Sequence, residues 1–117
     1  MGNFRKLEVW QEARALTKLA YEMTKSFPSC ERYGLTAQIR GAAVSIMANI
    51  AEGCGRNGRA ELARFLSIAA GSATELECHF VVAEDQGYLN ECGLQLQQRV
   101  MRIQRMLAGL IRRLRNQ

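Results

Sequence analysis

Six arginines close to the carboxyl end are the residues of this chain best suited to bind a ligand. After Asn90 only one acidic residue, Glu91, accompanies them, and basic and acidic residues are equal in number before that point. The net charge of +5 therefore arises wholly in this segment. Guanidinium groups bind phosphate oxygens through paired hydrogen bonds, which favours RNA or DNA backbone as the ligand. The candidate contacts are Arg99, Arg102, Arg105, Arg112 and Arg113. The competing interpretation is a solvated helix face whose cations complement the helix dipole.

A second set of polar residues recurs at helical spacing upstream, and we call it the polar stripe: Gln38, Ser45, Asn49, Glu52 and Arg56. Gly41 and Ala48 border it, and such small residues would let another helix approach closely enough for hydrogen bonds across the contact. Buried polar groups need partners in any protein. We therefore interpret the stripe as a buried structural network in preference to a ligand site.

A third set lies off the apolar stripe of the third predicted helix, α3, whose stripe runs from Leu62 to Ala83. We call it the α3 flank: Ile68, Ser72, Glu75, His79 and Val82. A helix that only faces a core does not need a second apolar patch. The flank is a candidate surface for self-association. The alternative is that it packs against a neighbouring helix of the same bundle.

The sequence gives little support for a catalytic site. His79 is the only histidine, so any pair of nucleophile and histidine base would have to include it. We expect a structural histidine, no enzyme activity, no cofactor and no metal. The four cysteines include no Cys-x-x-Cys pair and are expected to be reduced thiols of a cytoplasmic protein. The run GCGRNGR from Gly53 to Arg59 lacks the Lys-Ser/Thr pair of a phosphate-binding loop and indicates a flexible turn.

These candidates must be positioned by helices, since apolar residues recur every three or four positions and no segment alternates with the period of a strand. The apolar stripes run from Val9 to Phe27, Leu35 to Ile50, Leu62 to Ala83 and Leu96 to Leu114. We predict a single all-α domain over residues 1–117, an antiparallel up-and-down four-helix bundle. No segment has the length of apolar sequence that a signal peptide or a membrane span needs, so no membrane association is expected.

Residues that end helices separate these stripes. Pro28 stops the first helix, the glycines between Gly53 and Gly58 close the second, and Gly87 ends the third. Asn90 is a candidate N-cap for the fourth.

The polar stripe lies within QIRGAAVSIMANIAEGCGR, which closely resembles the signature of the 23S ribosomal RNA intervening-sequence proteins. LEVWQEA from Leu7, FPSCERYGLTAQ from Phe27 and AGSATELE from Ala70 extend the resemblance over nearly the whole chain. It implies a four-helix bundle, similar in fold to the accessory variability proteins of diversity-generating retroelements, which are pentameric barrels that bind nucleic acid and a reverse transcriptase. Met47 departs from the pattern, because a proline is common there, and so a kink in the second helix is expected to be reduced.

Two functional hypotheses follow. The leading one is a non-enzymatic homo-oligomer, a pentamer by resemblance, whose arginines bind RNA or DNA backbone. The alternative is a protein-interaction scaffold in which the same charges contact a partner protein and nucleic acid has no role.

Overall fold

The computed structural model describes residues 2–116 and contains four helices. These are α1 (Glu8–Thr24), α2 (Leu35–Gly55), α3 (Arg59–Asp85) and α4 (Cys92–Arg115). Each helix packs against the next one, and α1 also packs against α4, so the four enclose one core. The principal extents of the Cα trace are 46 × 21 × 19 Å. The prediction of an all-α, antiparallel four-helix bundle is confirmed.

The core is built from the apolar stripes, and its largest fully buried side chains, among them Leu16, Ile46, Phe80 and Leu107, come from all four helices. α3 alternates such large side chains with enclosed alanines, which lets its neighbours approach closely. The stripe of α4 is buried as far as Leu107. Its last two members, Leu110 and Leu114, are only half-buried because they lie at the end of the bundle.

The helices end where the sequence predicts, and local hydrogen bonds explain why. Gly87 has a φ of 76°, which only glycine adopts easily. Its N–H donates to Glu84 O at 2.9 Å and the Tyr88 N–H donates to Ala83 O at 2.9 Å, which is the Schellman arrangement. At the start of α4, Asn90 Oδ1 accepts from the Cys92 N–H at 2.9 Å, as expected of an N-cap. α2 runs without interruption through Met47.

Gly53 is buried at the closest contact between α2 and α3 instead of closing α2. A Cβ atom added at Gly53 would lie 2.9 Å from Phe65 Cβ and 3.1 Å from Leu62 Cδ1. Phe65 Cβ is fixed to its backbone and cannot move aside without moving the helix. The glycine therefore sets how closely α2 and α3 pack.

We predict that Gly53→Ala destabilises the protein by about 1–3 kcal/mol, because the added methyl group overpacks this contact. Gly71→Ala is the matched control, since that exposed position in α3 has nothing within 4 Å of an added Cβ. It should stabilise by about 0.5–1 kcal/mol. Urea unfolding measures both changes. Equal effects of the two substitutions would contradict a close contact at Gly53.

At the other end of the bundle, Tyr88 joins the α3–α4 connection to the α1–α2 connection. Its hydroxyl donates to Glu31 Oε2 at 2.9 Å, and its ring lies 5.2 Å from the Phe27 ring. The hydrogen bond to Glu31, followed by partial burial and the charge of that carboxylate, raises the pKa of Tyr88 above its ordinary value of 10.0.

This pKa shift predicts a pH-dependent contribution to stability. The folded protein favours the protonated hydroxyl, so the contribution is complete below the unfolded pKa and is lost as the pH rises through the raised one. Tyr88→Phe should be less stable than the wild type at about pH 8, and the difference should narrow near about pH 11. Urea unfolding of both proteins tests this, and a difference that stays constant with pH would contradict it.

Candidate nucleic-acid interface

The five predicted arginines of α4 do not form one free surface, because two of them lie against the bundle. Arg99 is half-buried. Arg102 contacts α1, where its guanidinium lies 3.3 Å from Glu8 Oε1 and 3.4 Å from Glu12 Oε1. Arg102 therefore links α4 to α1 through ion pairs, while its side chain stays 53% exposed.

The other three predicted arginines are exposed on the last three turns of α4. Arg105 and Arg113 line a groove of about 360 Å³ that the start of α1 closes on its other side through Leu7 and Val9. Within residues 2–116, neither these two nor Arg112 has a carboxylate within ion-pair distance. Glu8 also lines the groove, but it forms its ion pair with Arg102.

The turn between α2 and α3 brings further arginines to the same end. Leu114 of α4 lines one groove with Arg56 and Arg59, and a second groove with Arg59 and Arg115. Arg115 also donates to Ser67 Oγ at 3.2 Å. We call the resulting surface the arginine end; its members are Arg56, Arg59, Arg105, Arg112, Arg113 and Arg115. Residues 53–60 and 92–116 contain no acidic residue.

The sequence-based prediction of the contacts omits Arg59 and Arg115, and it assigns Arg56 to the polar stripe. It treats the arginines of GCGRNGR only as part of a turn. In an up-and-down bundle, however, the α2–α3 turn and the carboxyl end of α4 must lie at the same end. The predicted topology could have grouped these residues with Arg112 and Arg113.

Two arginines near this end are held in place by an aromatic ring and by carboxylates. The guanidinium carbons of Arg56 and Arg64 lie 5.1 Å and 4.4 Å from the Phe65 ring centroid. Arg56 also pairs with Glu52 at 2.9 Å, and Arg64 pairs with Glu61 at 2.9 Å. The Arg64 hydrogen bond lowers the pKa of Glu61 and raises that of Arg64. Glu52 thus offsets one charge of the arginine end, and Glu61 offsets the charge of Arg64 beside it.

The opposite end of the bundle is acidic. Glu84 and Asp85 end α3, and Glu91 precedes α4. The α1–α2 connection on the same side carries Glu31 with the basic residues Lys25 and Arg32, so the acidic excess comes from α3 and α4. The molecule is therefore electrically polar along its 46 Å axis.

The polar stripe and the α3 flank, which the sequence presented as separate features, meet on one surface. Ser45 Oγ and Ser72 Oγ lie 2.8 Å apart across α2 and α3. Asn49 Nδ2 donates to Ser45 O at 2.9 Å, which is a bond within α2. Gln38, Glu52 and Arg56 are exposed. The predicted buried network is thus limited to a half-buried cluster around Ser45.

The apolar members of the α3 flank, Ile68 and Val82, are 41% and 43% exposed. His79 Nε2 lies 3.2 Å from Glu75 Oε1 one turn away. We call the combined surface the α2/α3 face; its members are the α3 flank with Gln38, Ser45 and Asn49. Val44 and Ala48 are exposed beside it on α2.

The remaining chemical features of the chain are its metal-ligating side chains, its cysteines and the apolar character of its helices. Among residues 2–116, no three His, Cys, Asp or Glu side chains come together as metal ligands would. The four cysteines are free thiols, and burial raises the pKa of Cys54. In the part of the chain that is described, no helix has the length and apolar character needed to cross a membrane.

The fold and its charges define a class of protein, a small antiparallel four-helix bundle with its positive charge gathered at one end. Residues 5–109 match the family of the 23S rRNA-intervening sequence protein. The chain belongs to that family, and the resemblance noted in QIRGAAVSIMANIAEGCGR is confirmed.

A solved structure supports the fold independently. The chain is similar to the crystal structure of a protein of unknown function from the S23 ribosomal protein family of Bacteroides thetaiotaomicron VPI-5482. The TM-score is 0.78 at 20% sequence identity, over 88% of this chain and 97% of the other. No curated protein matches this chain. At this identity the likeness concerns the fold alone.

Proposed function

We propose that this protein binds the phosphate backbone of RNA or DNA through its arginine end. The observation that carries the proposal is the position of Arg59, the first residue of α3. Cations at a helix carboxyl end complement the dipole, and this alone could account for Arg112 and Arg113. A cation at a helix amino end opposes the dipole, so a solvated and dipole-complementing face does not explain Arg59. An anionic ligand bound at this end would explain the position of Arg59.

The surroundings of the arginine end support the same ligand. Within residues 2–116, five of its six arginines form no ion pair, and only Arg56 has a carboxylate partner. Like charges held close together repel one another, and a polyanion would relieve that repulsion. No side chain caps the amino end of α3, so its first N–H groups lie beside Arg59 without a side-chain partner. Such groups favour phosphate.

We predict that replacing Arg105, Arg112 and Arg113 together by Gln weakens RNA binding by at least about tenfold at low salt. The slope of log K against log salt should fall by about 0.9 for each duplex phosphate that the variant no longer neutralises, and by about 0.7 on single strands. Salt-titrated fluorescence anisotropy with a structured RNA measures both quantities.

The control for this variant removes the same net charge elsewhere. Lys18, Lys25 and Arg32 lie outside the arginine end, so replacing these three by Gln should leave affinity and slope close to those of the wild type. Equal losses of affinity in both variants would show that binding depends on the net charge of the protein and not on the arginine end. If the wild type shows no binding at low salt, the proposal is wrong.

We propose further that copies of this chain associate through the α2/α3 face. Ile68 and Val82 expose apolar surface there, and Val44 and Ala48 add to it on α2. The polar groups of Ser45, Asn49 and Ser72 can each donate and accept, so they suit contact with a second copy. The α2/α3 face does not include the arginine end. Each copy has a net charge of +5, and contact through the arginine ends would bring like charges together.

We predict that Val82→Glu lowers the oligomer mass measured by light scattering, because an unpaired charge in a buried contact costs several kcal/mol. Val81→Glu is the matched control. Val81 is 46% exposed and Val82 is 43% exposed, but they lie about 100° apart around α3. Val81 lies away from the α2/α3 face, so Val81→Glu should keep the wild-type mass. By resemblance to the accessory variability proteins, that mass is expected to be five chains.

If both variants keep the wild-type mass, association does not use the α2/α3 face. A second candidate function is a protein-interaction scaffold, which the exposed Ile68 and Val82 favour if a partner protein covers them instead of a second copy. A monomeric wild type that binds no RNA would favour the scaffold over the leading proposal.

A further inference from the structure

The aromatic rings near the arginine end are covered, which bears on the kind of nucleic acid that could bind there. Proteins that hold single strands pair a basic groove with exposed rings on which bases stack. Phe65 lies beside the arginine end but is only 8% exposed, beneath the guanidinium groups of Arg56 and Arg64. Its ring faces are therefore occupied by arginine and not offered to bases.

Two rings near the start of α1 are also covered in part, since Phe4, just before the helix, is half-buried. Trp10 is buried, with the Phe4 ring centroid 4.9 Å away in an edge-on arrangement. The Arg14 guanidinium lies 5.8 Å from the Trp10 ring, and the Arg5 guanidinium lies 6.0 Å from the Phe4 ring. Among residues 2–116, the arginine end thus has no freely exposed ring beside it.

The exposed aromatic residues lie towards the acidic end instead. Tyr33, in the α1–α2 connection, is 87% exposed, and Tyr21 occupies the last turn of α1 beside Arg40. A strand bound at the arginine end could not stack its bases on these rings, because most of the bundle length separates the two. The exposed rings have their own single arginines, Arg32 beside Tyr33 and Arg40 beside Tyr21, but they lie away from the cluster of the arginine end.

The shape of the arginine end suits a double helix. The bundle is 21 × 19 Å across, which exceeds the width of about 12 Å of a DNA major groove. Arg56 and Arg59 lie on the α2–α3 side of this end, and Arg112 and Arg113 lie on α4. Two such groups can contact the phosphates of two strands at once, and phosphate contacts carry no base information.

Resting on the proposed function, we infer that the ligand is double-helical nucleic acid, held by its backbone without base stacking or sequence preference. The test is fluorescence anisotropy of the full-length wild type with four labelled probes of equal length. Two are RNA duplexes of unrelated sequence and two are single strands, oligo(U) and oligo(A), which differ in stacking.

The duplexes should bind at least about tenfold more tightly than either single strand and should differ from each other by less than about twofold. Tyr33→Ala, which removes the most exposed ring, should change none of the affinities. Single strands that bind as tightly as duplexes, or a marked difference between the duplexes, would overturn this inference while leaving backbone binding in place. Binding to none of the probes would instead remove the proposed function itself.

Discussion

Gly53 lets α2 pack against the first turns of α3 with no side chain between their backbones at that point, and much of the molecule depends on this contact. The chain reverses within residues 56–58, so Arg56 and Arg59 lie close together at one end of the bundle. Further along the same helix pair, the close packing brings Ser45 within hydrogen-bond distance of Ser72. Both candidate surfaces therefore include residues that the close packing of α2 and α3 brings together.

The four helices and most of the core residues could be predicted from the sequence. The apolar residues of each helix recur every three or four positions, and this pattern is visible in one helix without knowledge of the others. Gly87 and Asn90 were equally informative, since the conformations and hydrogen bonds they favour are local. The half-exposure of Leu110 and Leu114 was not predictable in this way. It depends on where the neighbouring helices end, and a single helix does not contain that information.

The candidate site was predicted less well, for a related physical reason. Arg102 is exposed as its spacing predicts, but its ion-pair partners Glu8 and Glu12 belong to a helix at the other end of the sequence and could not be predicted. The meeting of the polar stripe with the α3 flank depends on the register between α2 and α3. An ion pair or a hydrogen bond between helices is fixed by that register, and the periodicity of one helix leaves it undetermined.

The two proposed surfaces are compatible, because the α2/α3 face lies along the side of the bundle and the arginine end lies across it. In a dimer, the charge polarity of each bundle would favour antiparallel neighbours, with the arginine end of one copy beside the acidic end of the other. In a closed ring of five chains all copies must be parallel. A parallel arrangement would place the arginine ends together, and contacts at Ile68 and Val82 would have to overcome their repulsion. A bound polyanion would remove that repulsion and multiply its own contacts. In a parallel assembly, then, association and nucleic-acid binding would each strengthen the other, as thermodynamic linkage requires.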